Sequence, residues 1–149
     1  MALDMAKYRQ IFLEESSDHL EEISRALFDL EKEMANAEAI DTLFRMAHSI
    51  KSMAASLGYD SIADLSHRME DRMEGVRADG CVRSQAELAL LFRSLEKLEA
   101  MVAAVAKDEE PLVADDELLG LLAEDPSDQA TTESSSPDPV GGEPKKALS

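Results

Sequence analysis

The side chains with the clearest potential for chemistry lie in the stretch HSIKSMAASLGY, residues 48–59. His48 precedes Lys51 by three residues, which places an imidazole and an ammonium one turn apart on a helix. A neutral imidazole nitrogen is a nucleophile, and an ammonium can neutralise the oxygens of a phosphoryl group during its transfer. The spacing therefore indicates phosphoryl transfer through a histidine as a chemistry that this stretch could support.

Apolar residues recur at helical spacing in four blocks within residues 1–107, and this pattern predicts four amphipathic helices. The blocks are Tyr8, Ile11, Phe12, Leu20, Ile23, Leu27, Leu30 and Met34; Ile40, Leu43, Phe44, Ala47, Ile50, Ala54 and Leu57; Ile62, Leu65, Met69, Met73 and Val76; and Leu88, Leu91, Phe92, Leu95, Leu98, Val102 and Val105. Short connections between helices of similar length imply antiparallel neighbours. The predicted fold is an all-α, antiparallel up-down four-helix bundle.

Residues with known preferences for helix ends agree with these blocks. All five prolines lie at or beyond Pro111, so no proline interrupts the four predicted helices. Gly58 fits a left-handed cap after the second helix, and Asp60 or Ser61 could cap the start of the third. Ser84 with Glu87 fits a capping box at the start of the fourth helix.

The antiparallel register predicts which side chain lies beside His48. If the turn between the second and third helices centres on Tyr59, Glu70 is level with His48, and His67 is level with Lys51. Glu70 lies about 90° and His48 about 110° from the apolar stripes of their helices, so the two can meet at the rim of the groove. A carboxylate bound to one ring nitrogen fixes the tautomer and leaves the other nitrogen as an outward lone pair.

Four further residues of the second helix are predicted to lie on its exposed side, where a partner would approach: Arg45, Ser49, Ser52 and Ser56. The three serines among them are small, so a partner could approach His48 closely. His19 stands in a charged stretch of the first helix, and the sequence assigns it no role.

Composition excludes several functional classes. The net charge of -17 argues against nucleic-acid binding, because a basic face is needed to contact phosphates. The N-terminal MALDMAKYRQ lacks the apolar core of a signal peptide, and no run approaches the roughly 20 apolar residues of a membrane span. The single cysteine, Cys81, cannot form an internal disulfide. We therefore expect a soluble, cytoplasmic protein without membrane insertion.

The C-terminal part differs from the bundle in composition. Twelve of the 32 acidic residues lie from Asp108 onward, against two of the 15 basic ones. Residues 108–125 form an acidic segment in which VADDELLGLLAED, residues 113–125, fits a short fifth helix on the bundle, a partner-docking segment or a weakly helical linker. Residues 126–149 are rich in Ser, Pro and Gly and are predicted to be a flexible linker or tail.

The segments FRMAHSIKSMAASLGY and LSHRMED carry a family resemblance. They resemble the histidine phosphotransfer (HPt) domain at the N-terminus of CheA-type chemotaxis histidine kinases, over roughly residues 5–105. The resemblance implies that His48 is the phosphoacceptor at Nε2, that Glu70 bonds its other nitrogen, and that Lys51 and His67 belong to the surrounding network. It also implies phosphorylation by a separate kinase domain that binds ATP and Mg, and transfer to an aspartate of a CheY- or CheB-type response regulator.

The chain departs from the family pattern at one position, because Ser52 stands where the family has glycine after the lysine. This change could narrow the approach of a partner or supply a hydrogen bond. The sequence contains no P-loop and no glycine-rich nucleotide loop, so no cofactor is expected in this chain, which would act as one part of a histidine protein kinase.

Two other functions compete with phosphotransfer as explanations of these residues. A ferritin-like metal bundle needs Glu-x-x-His on two helices, and only Asp64-x-x-His67 approximates that motif, so no metal is predicted. A non-catalytic helical adaptor is the main alternative, and it predicts that the protein tolerates His48→Gln.

Overall fold

A computed structural model describes residues 4–110, 112–114 and 116–123, and these ranges contain helices and no strand. The helices are α1 (Met5–Lys32), α2 (Ala37–Leu57), α3 (Asp60–Asp79), α4 (Gln85–Ala106) and α5 (Asp116–Ala123). Helix α2 packs against α1 and α3, and α4 closes the bundle against α1 and α3. The predicted all-α up-down bundle is confirmed.

The apolar stripes of the four long helices meet in one core. Its largest fully buried side chains include Phe12, Leu27, Leu43, Leu65 and Leu91, which come from all four long helices. Burial of each such side chain contributes about 1.5–3 kcal/mol relative to exposure. The core therefore fixes the rotation of each helix, and with it the residues that lie at the rims of the grooves.

The observed helix ends confirm two of the predicted caps and correct a third. Gly58 ends α2 in the left-handed region at φ 81°, which glycine adopts without a Cβ penalty. The Ser84 side chain accepts a hydrogen bond from the Glu87 amide at the start of α4, as the capping box predicts, but the Glu87 carboxylate accepts from the Arg83 amide and not from that of Ser84. The prediction that Asp60 or Ser61 caps α3 is wrong, because Tyr59 holds the N-cap position and makes no side-chain cap bond.

The first turns of α1 are not part of the core. Tyr8 and Ile11 were predicted to be buried, but both are exposed. Helix α1 has 28 residues whereas α2, its antiparallel neighbour, has 21, so α1 overhangs α2 by about 10 Å at 1.5 Å per residue. Burial on α1 begins at Phe12, whose ring lies 4.9 Å from that of Tyr59.

Of the three alternatives for residues 113–125, the short fifth helix is present as α5, and it packs on α3 and α4. Leu118 and Leu122 are buried, and Nη1 of Arg72 on α3 donates hydrogen bonds to the carbonyl oxygens of Leu121 (3.0 Å) and Leu122 (3.1 Å). An eight-residue helix is marginal by itself, so these contacts hold it in place. The predicted flexible tail, residues 126–149, lies outside the described residues.

None of the helices in the described part of the chain is both long enough and apolar enough to cross a bilayer.

Candidate functional site

The site forms where α2 and α3 lie side by side. Nδ1 of His48 on α2 lies 2.5 Å from Oε2 of Glu70 on α3, across the turn at Gly58. The His48 side chain is 56% exposed, whereas that of Glu70 is 12% exposed. The contact that the register predicts is therefore present, with the carboxylate at the floor of the groove and the imidazole at its rim.

Lys51 completes a three-residue cluster. Its Nζ lies 2.6 Å from Oε1 of Glu70, so each carboxylate oxygen of Glu70 meets one basic side chain. The sequence predicted that Lys51 would neutralise phosphoryl oxygens, and that role stays a prediction. In the structure, the Lys51 ammonium is an ion-pair partner of Glu70 and is 28% exposed.

The surroundings of Glu70 favour its ionised form. Burial alone would raise the pKa of Glu70, but the hydrogen bonds from Lys51 and His48, together with their charges, outweigh it. The pKa of Glu70 therefore lies below its ordinary value. An ionised carboxylate can only accept hydrogen bonds, so the proton in the contact with Glu70 lies on Nδ1 of His48.

The arrangement prepares Nε2 of His48 for nucleophilic attack. With the proton on Nδ1, a neutral ring carries its lone pair on Nε2. No described residue forms a hydrogen bond with this nitrogen, and more than half of the side chain is open to solvent. A phosphorus atom could therefore reach Nε2 in line with the lone pair while Glu70 stabilises the charge that develops on the ring.

His67 is near this cluster without a contact to it. Its Nε2 lies 3.5 Å from Oδ2 of Asp71, one turn later on α3. His67 and Lys51 line the same open groove between α2 and α3, as the register predicts, but the structure shows no bond between them. The role of His67 in the network stays a prediction.

Three of the four residues predicted to face a partner are exposed. Arg45 is exposed and pairs with Asp41, and the exposed Ser56 donates its hydroxyl to the carbonyl of Ser52, which is also exposed. Ser49 differs from the prediction, because it is half-buried.

Ser49 is half-buried where it contacts His19 on α1. Nε2 of His19 lies 3.0 Å from the Ser49 hydroxyl. No role was predicted for His19 from the sequence, although a signal was available, because residues 19 and 49 are about equally far from the short connection between α1 and α2. The contact places a second histidine beside the residue that follows His48.

The sequence also missed a buried ionic cluster that joins three helices. Glu87 on α4 binds Arg72 on α3 (Nε to Oε2, 2.7 Å) and Arg83 in the preceding loop (Nε to Oε1, 2.7 Å). Burial alone would raise the pKa of Glu87, but hydrogen bonds from Arg83 and the charge of Arg72 hold it below its ordinary value. A signal was available, because Arg72 stands within the apolar stripe between Met69 and Val76.

Both residues of the Asp64-x-x-His67 motif form ion pairs with neighbours on α3. Asp64 lies 3.4 Å from Nε of Arg68, and His67 faces Asp71. Within the part of the chain that the structure describes, no group of three or more His, Cys, Asp or Glu side chains is placed to hold a metal ion.

Comparison with known proteins gives a consistent result. A model of the Hpt domain family matches residues 7–108. The chain is 33% identical over 103 residues to the chemotaxis protein CheA of Bacillus subtilis (strain 168) and 34% identical over 95 residues to that of Listeria monocytogenes. These matches cover 69% and 64% of this chain and 15% of each relative, so the chain spans a small part of their length.

A solved structure is also similar in fold. The CheA phosphotransferase domain from Thermotoga maritima matches with a TM-score of 0.64 and 27% sequence identity, over 70% of this chain and 99% of that domain. The similarity thus extends over almost the whole of that domain, whereas about a third of the present chain lies outside it.

Proposed function

The chain belongs to the Hpt domain family, and from that premise we propose that it is the phosphocarrier domain of a CheA-type chemotaxis kinase. In this proposal, His48 receives a phosphoryl group from ATP held by a separate kinase domain. It then passes the group to an aspartate of a response regulator of the CheY or CheB type.

The first transfer forms one bond and breaks one. The Nε2 lone pair of His48 attacks the γ-phosphorus of ATP, the Nε2–P bond forms, and the bond from that phosphorus to the bridging oxygen breaks with release of ADP. The imidazole keeps its proton on Nδ1 and gains a positive charge. Glu70 accepts the hydrogen bond from Nδ1, and its negative charge stabilises the ring as the positive charge develops.

Lys51 has two tasks in this proposal. Before transfer, its ammonium holds Glu70 ionised and in place, 2.6 Å from Oε1. During transfer, its flexible four-carbon stem lets the ammonium turn toward the phosphoryl oxygens one helical turn from His48. Both tasks require a positive charge at residue 51, so we expect Lys51→Met to slow labelling of His48.

The second transfer regenerates the site. A carboxylate oxygen of the regulator's aspartate attacks the phosphorus, the Nε2–P bond breaks, and its electron pair returns to Nε2. The ring loses its positive charge and keeps the proton on Nδ1. No net proton transfer is needed in either direction, so positioning and electrostatic stabilisation supply most of the catalysis.

The observation that carries this proposal is the contact of His48 Nδ1 with Glu70, which leaves Nε2 open to solvent. A histidine held in this way on the surface of a helix is suited to accept and release a group without rearrangement of the bundle. The carboxylate that fixes the tautomer is itself buried, with its side chain 12% exposed.

The direct test is incubation with labelled ATP and a CheA-type kinase catalytic fragment, with His48→Gln as the matched variant. We expect acid-labile, alkali-stable label on the parent chain alone, because that stability is typical of phosphohistidine. If several catalytic fragments leave both folded proteins unlabelled, the proposal is wrong and the chain is a helical adaptor.

A further inference from the structure

A cavity of about 360 Å³ opens at the end of the bundle where α2 turns into α3. Its apolar walls come from the α2–α3 turn, from α3, from α4 and from the segment after α4: Tyr59, Ile62, Met101, Val105 and Leu112. A volume of this size accommodates one or two large side chains.

The same end of the bundle carries most of the exposed apolar surface. Of the six large apolar side chains that are exposed in the described part of the chain, five lie in the first turns of α1 or just after α4. These five are Met5, Tyr8, Ile11, Leu112 and Val113. Exposed apolar surface next to a cavity is typical of a binding site.

The rim of the cavity is acidic. Asp60, Asp108 and Glu109 line it, and Arg9 is the only basic residue among the described lining residues. Arg9 lies 3.8 Å from Asp108, and neither Asp60 nor Glu109 forms an ion pair with a described residue. A ligand for this cavity therefore needs an apolar group with positive charge beside it.

The cavity adjoins the open groove between α2 and α3, in which Lys51, the neighbour of the His48–Glu70 pair, lies. Asp60 lines both the cavity and this groove. Gly58, at the cavity, is ten residues from His48, which corresponds to about 15 Å along the helix. A protein interface of about 800 Å² per partner extends about 16 Å from its centre. The edge of an interface centred on His48 therefore falls at Gly58, on the wall of the cavity.

We propose that this cavity is a docking site for the ATP-binding kinase domain, which inserts an apolar side chain flanked by a lysine or arginine. The inference rests on the proposed function. A domain that holds ATP presents basic groups around its phosphates, which face His48, and a basic surface that continues from them toward the α2–α3 turn would meet the acidic rim. A regulator's phosphoacceptor site binds Mg²⁺ through carboxylates, so its acidic surface would be repelled by the rim. The charge of the rim therefore favours the phosphodonor over the regulator.

The test compares two exposed apolar residues with similar exposure. Leu112 is 40% exposed and lines the cavity, whereas Phe28 is 53% exposed near the other end of α1. With labelled ATP and a CheA-type kinase catalytic fragment, we expect Leu112→Ser to raise the KM for this chain roughly fivefold, with little change in kcat. Phe28→Ser should leave both constants at their parental values.

A second variant tests the charge of the rim. Asp108→Asn keeps the shape of the side chain, and asparagine tolerates the positive φ of 60° at this position. We expect this change to raise the KM roughly twofold in low salt and to have little effect in high salt, because salt screens surface charges. An unchanged KM for both Leu112→Ser and Asp108→Asn would overturn the docking proposal.

The response regulator provides the remaining comparison. Transfer from phosphorylated chain to a CheY-type regulator should proceed at the parental rate in Leu112→Ser. A slower transfer to the regulator together with an unchanged KM for the kinase fragment would assign the cavity to the regulator and overturn the proposal. Parent chain that is not labelled at all would instead contradict the proposed function, so the two failures are distinguishable.

Discussion

In the described part of the chain, two glutamates each lie between two basic side chains, and the exposure of those basic partners differs sharply. Glu70, at the floor of a groove, meets His48, which is 56% exposed, and Lys51, which is 28% exposed. Glu87 meets Arg72 and Arg83 inside the bundle, where the Arg72 side chain is 2% exposed and that of Glu87 is 1% exposed. In the proposed function, the same pattern of charges serves chemistry beside the exposed His48, whereas in the interior it joins helices.

The difference follows from what each partner can do. An arginine keeps its proton throughout the accessible pH range, and its guanidinium binds a carboxylate in a fixed geometry. The Arg72 guanidinium also holds the last carbonyls of α5, so its cluster ties α3, α4 and α5 together. An imidazole has a second nitrogen that stays free when the first is bound. Open space at that nitrogen makes the Glu70 cluster suited to phosphoryl transfer.

The largest expected effect is on the buried cluster. Glu87→Ala removes the acceptor that Arg72 and Arg83 share and leaves the buried Arg72 without its carboxylate. We expect the free energy of unfolding to fall by about 3–5 kcal/mol, as measured by urea denaturation followed by circular dichroism. Glu70→Ala is the matched control and should cost far less stability. Equal losses in the two variants would remove the contrast between the clusters.

The next effect concerns the rate of phosphorylation. Glu70→Gln preserves shape but removes the charge that stabilises the His48 ring, so we expect initial labelling to slow about 10–100-fold. The melting temperature should stay close to that of the parent chain, which circular dichroism would check. A parental labelling rate for Glu70→Gln would exclude Glu70 from the mechanism.

Acid should weaken both clusters through the same linkage. The pKa values of Glu70 and Glu87 are lowered in the folded chain, so their contribution is fully present above the unfolded pKa of about 4.3. This stabilisation is lost as the pH falls from the pKa in the unfolded chain toward the pKa in the folded chain, by up to about 1.4 kcal/mol per pH unit for each group. Urea denaturation at pH values from about 5 to about 3 should show that the free energy of unfolding falls less steeply with decreasing pH in Glu87→Gln than in the parent chain. An identical slope would contradict the lowered pKa of Glu87.

The smallest expected effect is at the exposed rim. Arg45 pairs with Asp41 one turn earlier on α2, and both side chains are about half exposed. Exposed pairs of this kind contribute about 0.3–0.5 kcal/mol, so Arg45→Ala should leave the urea midpoint almost unchanged. A loss of stability comparable to that of Glu87→Ala would show that exposure does not separate the two kinds of ion pair.

The sequence predicts the Glu70 cluster well because its geometry depends on local rules. Gly58 ends α2, the connection to α3 is short, and neither helix contains a proline. The register across such a turn is set by counting residues, so His48 and Glu70 are placed opposite each other. Periodicity likewise gives the four long helices, since each apolar stripe fixes the rotation of its own helix.

Other features depend on the packing of several helices and are not readable from one of them. The pairing of Arg72 with Glu87 depends on how closely α3 approaches α4, and the contact of Ser49 with His19 depends on how closely α1 approaches α2. The exposure of Tyr8 follows from the unequal lengths of α1 and α2. An apolar residue at helical spacing is buried only where a neighbouring helix covers it.

The most direct test of the site is the protonation state of His48 in the unphosphorylated chain. Nitrogen-15 NMR of labelled histidine distinguishes a ring that is protonated on Nδ1 from one that is protonated on Nε2. We expect the Nδ1-protonated tautomer for neutral His48 in the parent chain and a mixture of the two tautomers in Glu70→Ala. A proton on Nε2 in the parent chain would contradict the proposal, because the nitrogen that must attack phosphorus would have no lone pair.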